Sequence, residues 1–168
     1  MNAGSRRGAA ALGAAALFAA ALASAQQPSG APPHFADGAS VFQANCAVCH
    51  RANGAGQAGL APPLLHYPAR YVAVPEGRRQ LVLTLLFGMF GDVVVDDRHF
   101  NFKMPEFSRL DDATLASVIN FVAFDLSQAP DTSAPVTPGE VSRERALGLS
   151  GEAVRRHRVD VLGTAPTP

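Results

Sequence analysis

The stretch NCAVCHR, Asn45 to Arg51, holds both cysteines of the chain and a histidine within the five residues Cys46 to His50. A disulfide, half of a zinc site, a redox-active dithiol and the attachment point of an iron porphyrin all use such a cluster. Cys46 and Cys49 lie three positions apart, so a disulfide would close a very short loop and constrain the unfolded chain little. A tetrahedral zinc site needs a second pair of ligands at similar spacing; no other cysteine exists, and His66 and His99 stand alone. A thioredoxin-like dithiol follows a strand in a parallel-sheet context, whereas DGASVFQAN, just before the motif, reads as the start of a helix.

The remaining chemistry uses every residue. In C-x-x-C-H the two thiols can add to the two vinyl groups of a haem, and the adjacent imidazole can reach the iron from the same side of the ring. The N-terminus agrees: Arg6 and Arg7 precede an apolar, Ala-rich run from Ala9 to Leu22, and Ala23-Ser24-Ala25 fits a small-residue cleavage site. Residues 1–25 therefore read as a secretory signal, sending the chain to the periplasm, where covalent haem attachment takes place in bacteria. The run is shorter than the roughly 20 apolar residues a spanning helix needs, and no later stretch reaches that length, so no transmembrane segment is expected after cleavage. Cleavage removes Arg6 and Arg7, taking the basic count from 14 to 12 against 14 acidic residues, a net charge of −2. Such a balance excludes the basic stripe of a nucleic-acid binder.

An iron that only transfers electrons needs its second axial position filled as well, and methionine opposite histidine raises the reduction potential. Beyond the signal only Met89 and Met104 remain. Met89 follows QLVLTLLFG, where Leu81, Leu85 and Leu86 recur at helical spacing, and reads as packing. Met104 lies in NFKMPEF, where Pro105 pushes its predecessor out of helical geometry and leaves a loop methionine to be presented to a metal. His99 is the rival sixth ligand and His66 a more distant one.

With these motifs the sequence resembles the class I c-type cytochromes, the bacterial periplasmic monohaem kind, over about residues 34–128. In GASVFQANCAVCH, Gly38 and Phe42 match positions of the family's N-terminal helix that face its last helix, where Val118 and Phe121 stand. LAPPLL resembles the proline segment whose carbonyl accepts a bond from the ligand imidazole, with Pro62 in that role. The resemblance implies an all-α cytochrome c fold, three main helices around one haem c attached through Cys46 and Cys49, with His50 and Met104 as axial ligands. It implies an electron carrier with no catalytic residues of its own. Its expected partners are a periplasmic dehydrogenase as donor and a terminal oxidase or another cytochrome as acceptor. A dedicated cytochrome subunit of such a dehydrogenase is the alternative, and a haem protein with an open sixth site, binding gas or catalysing redox chemistry, a further one. Arg51 and Lys103 flank the ligand motifs and are candidates for orienting a partner.

Residues 26–33 read as a flexible leader and 34–128 as the cytochrome domain. A first helix should start near Asp37, as its cap, and run through the haem motif to the glycine-rich NGAGQAG; a second follows Pro75 and stops near Gly88. The last core helix should start at a cap on Asp111 or Asp112 and end about Ser127. DVVVDD is a short extended piece with no sheet expected. Residues 129–168 form a Pro-rich connector, expected to leave the core, and a helical C-terminal extension with starts at Thr137-Pro138 and Ser150. The cluster Arg155, Arg156, His157 and Arg158 there reads as a solvated helical face packed on the domain, or as a docking arm.

Overall fold

The computed structural model describes residues 34–95, 97–101 and 103–162, together with Met1. The signal segment and the leader, Met1 apart, lie outside the described residues. Gly38 and Phe42, one turn apart, form the buried stripe of α1 (Ala36–Asn45). Across it runs α5 (Asp112–Asn120), which continues as a π-helical turn, Phe121–Leu126. A Cβ on Gly38 would press into the Ser117 carbonyl and stand 2.8 Å from Phe121 Cβ, so glycine alone permits this crossing. The Phe42 and Phe121 rings meet with centroids 5.4 Å apart at 53°. A tilted pair of this kind adds about 0.5–1.5 kcal/mol beyond the area it buries.

The first helix departs from expectation at both ends. Asp37 lies in its first turn and caps nothing; Phe35 holds the cap position without a side-chain bond. The chain entering the helix is instead held from the far end of the domain, where Asp125 accepts from the backbone N–H of His34 at 2.8 Å and of Phe35 at 3.1 Å. The helix also does not run through the haem motif. It breaks at Cys46, and a single turn, α2 (Ala47–His50), ends at Arg51 with φ 62°.

Helix α3 (Tyr67–Val72), unanticipated, starts with Pro68 in its first turn and leads into α4 (Pro75–Phe87), which sends Val82, Leu83 and Leu86 into the core. Gly88 ends α4 at φ 69°, as its sequence position suggested. The expectation of no sheet is corrected. β1 (Val93–Val95) pairs antiparallel with β2 (Arg98–Phe100), Val94 opposite His99. Asp97 in the turn adopts φ 57°, a conformation aspartate tolerates better than most residues. Val93, Val95 and Phe100 bury one face of the hairpin, so the architecture is helical with a small two-stranded sheet.

The connector also behaves otherwise than expected, since it stays on the core. Ala129 and Val136 are buried, and buried Asn120 clamps Val136, donating to its carbonyl at 2.9 Å and accepting from its N–H at 2.7 Å. Arg78 of α4 adds bonds to the carbonyls of Ala134 and Pro135 and a two-pronged pair with Glu140. Burial alone would raise the Glu140 carboxyl; hydrogen bonds from Thr137 and Arg78 outweigh it and hold it below its usual range. Helix α6 (Pro138–Arg145) starts with a full capping box between Thr137 and Glu140. Helix α7 (Gly151–Leu162) then packs against α4, and its Val154, like Val141 of α6, is fully buried. Among the described residues no helix is long and apolar enough to cross a membrane.

Candidate functional site

The break at Cys46 and the single turn that follows carry Cys46, Cys49 and His50 to the wall of an apolar cavity of about 370 Å³, within the range of cofactor sites, roughly 300–1,000 Å³. Both thiols are free, and burial, with Cys49 alongside, pushes the Cys46 thiol up to about 11. His50 is buried, and burial lowers its pKa although the bond to Pro62 opposes the shift. Its Nδ1 lies 3.0 Å from the Pro62 carbonyl oxygen. In the neutral ring Nδ1–H donates there, which leaves Nε2 as the nitrogen available to a metal.

The glycine-rich loop after the motif places that carbonyl. Gly56 sits at φ 71° and donates its N–H to the His50 carbonyl at 2.9 Å. A Cβ on Gly56 would stand 2.6 Å from the Ala61 oxygen and from the Pro62 carbonyl carbon. The sequence marked this loop only as the end of a helix. Its role in setting Pro62 depends on contacts that composition does not reveal.

Both methionines line the cavity. Their backbones form an isolated antiparallel bridge, Met104 N–H to Met89 oxygen at 2.8 Å and the reverse at 3.1 Å. Gly88 permits the approach: a Cβ there would lie 2.5 Å from the Met104 oxygen. The side chains then diverge in company. Met89 packs with the hairpin face of Val93, Val95 and Phe100, and Met104 with the main core of α4 and α5. The rival histidines are elsewhere. His99 is exposed on β2 and its Nδ1 meets the Asp92 carboxylate at 3.0 Å, while His66 is exposed at the start of α3; neither lines the cavity.

One wall comes from a region the sequence assigned no part in the site. Arg158 of α7 lines the cavity together with Tyr71, its charge near the Tyr71 hydroxyl. Burial pushes the Tyr71 phenol up, and the charge of Arg158 pulls against it. Among the described lining residues Lys103 and Arg158 are the cationic side chains, and no carboxylate is present. Two thiols, an imidazole with one nitrogen committed, apolar walls and two cations fit an iron porphyrin, a flat apolar body with two carboxylates.

The comparisons agree. Two curated proteins, each named cytochrome c-552 and each from Thermus thermophilus, are 37% identical to this chain over 125 residues, 73% of its length. These cover 95% and 84% of the relatives' own lengths. The Cytochrome c family matches residues 35–123, a span that takes in the α1–α5 crossing, the C-x-x-C-H turn and both methionines. The chain thus belongs to the cytochrome c family, electron carriers that hold a covalently bound haem c and work with redox partner proteins.

Proposed function

We propose that this electron carrier is exported to the periplasm, with Cys46 and Cys49 as its thioether anchors, His50 and Met104 as axial ligands of the iron, and Pro62 as the acceptor that orients His50. One observation carries the choice of Met104 over the histidines: Met104 lines the same cavity as His50, whereas His99 is exposed and held by Asp92. Met89, which also lines it, packs on the hairpin face and follows a helix whose leucines recur at core spacing. When bound, the haem supplies one-electron chemistry at its iron. The chain's own residues do the rest. The Pro62 carbonyl fixes the His50 tautomer and makes Nε2 a better donor. The apolar lining excludes water, and the Met89–Met104 bridge fixes the methionine loop, so that little need move when charge changes.

The proposed donor is a periplasmic dehydrogenase and the acceptor a terminal oxidase or another cytochrome. Arg51 and Lys103 are exposed beside the site and would set the rate of encounter more than its tightness. The folding of α6 and α7 back onto the domain supports a self-contained carrier over a subunit that reaches out with its tail.

Periplasmic extraction, mass measurement and a redox titration together test this reading. The expected product begins at Gln26, carries one haem, titrates as a single one-electron centre, and leaves carbon monoxide unbound after reduction. An uncleaved chain would overturn export, and ready uptake of carbon monoxide would overturn the closed sixth position.

A further inference from the structure

The cavity must satisfy the two propionates of the haem it is read to hold, and the family match ends at residue 123, well before α7. Lys103 is exposed on the methionine loop, whereas Arg158 is half-buried on a helix whose register is fixed. Gln80 of α4, only 1% exposed, does the fixing. Its Oε1 lies 2.6 Å from His157 Nδ1, and its Nε2 donates to the Val154 carbonyl at 3.4 Å. Arg79 Nη1 stands 3.3 Å from the other nitrogen of His157. The residue next in sequence is therefore delivered to the cavity wall by a helix held at Val154 and His157. Arg158 lines the cavity with Tyr71, and a guanidinium carries five donors, more than one neighbouring hydroxyl can occupy, so donors remain for a carboxylate. Its planar fork suits a carboxylate in a way an ammonium does not.

We propose that Arg158 binds a haem propionate, so that the C-terminal helices are part of the cofactor site. This rests on the reading of the cavity as the haem site. A fixed positive charge beside the porphyrin disfavours the extra positive charge of ferric iron and raises the reduction potential.

The test uses the full, haem-loaded protein and its Arg158→Gln, Arg158→Lys and Arg156→Gln variants. Arg156 pairs with Glu152 on the exposed side of the same helix and serves as control. At fixed, mildly alkaline pH the potential should fall in Arg158→Gln, stay near the parent value in Arg158→Lys, and be unchanged in Arg156→Gln. Equal potentials in the parent and Arg158→Gln would overturn the proposal. Should Arg158→Gln fail to load haem, the propionate bending vibration in the resonance Raman spectrum of the parent and Arg158→Lys decides: a shifted band supports the contact, and an unchanged band overturns it. A parent that carries no haem would instead overturn the reading of the cavity itself.

Discussion

The two sides of the cavity are built in opposite ways. The histidine side is made of near neighbours: Cys46, Cys49 and His50 share one turn, and the Pro62 carbonyl that meets His50 is twelve positions along the chain. The methionine side is assembled from afar. Met104 is bridged to Met89, whose side chain packs on the hairpin, and seated on Gly88 at the end of α4, while α7 docks its Gly151 carbonyl on the Phe90 N–H at 3.5 Å. A short local motif can fix the first kind of site, whereas the second holds only as well as the contacts around it.

If that contrast is right, damage to the α1–α5 crossing should cost the most, because it carries the whole histidine side. Gly38→Val forces a branched side chain into the Ser117 backbone and should cost about 3 kcal/mol or more, at or above the upper end for an overpacked core, seen as a large fall in Tm. Gly88→Ala should be milder and selective. The residue must keep φ 69° with its Cβ against the Met104 oxygen, a cost of about 1–3 kcal/mol. Its spectrum should report partial loss of methionine ligation while His50 stays bound; loss of both ligands together would erase the distinction between the sides.

The smallest effect concerns the lock on α7. Burial, then the nearby Arg79 charge, holds the His157 pKa below its ordinary 6.5, although Glu76, Glu144 and Asp160 pull the other way. The unfolded chain thus binds the proton more readily than the folded one, so stability rises with pH across this window and is lost as pH falls below 6.5. Melting curves of the haem-loaded protein between neutral and mildly acid pH should show a modest drop that His157→Gln flattens. An equal drop in both proteins would remove His157 as its source.

The same contrast explains what could be read from the sequence. Asp111, one of two candidate caps for α5, and Thr137-Pro138 at the start of α6 act within a single turn, so local sequence discloses them, while Gly38 with Phe42 is legible through the family resemblance. The Asp125 cap reaches about ninety residues back to His34, the Asn120 clamp acts on a connector whose prolines suggested a departure from the core, and Arg158 lines the cavity from outside the family span. None of these leaves a periodic trace. The hairpin left a short β-branched run, Val93–Val95 followed by aspartates, but three residues per strand are too few to establish a sheet.

The central claim, that Met104 completes the site opposite His50, is tested most directly by the near-infrared spectrum of the oxidised, haem-loaded protein beside Met104→Ala, Met89→Ala and His99→Ala. A weak sulfur-to-iron band present in the parent, absent in Met104→Ala and retained in the other two is the predicted result. A parent without that band, or a band lost in Met89→Ala and kept in Met104→Ala, would contradict it.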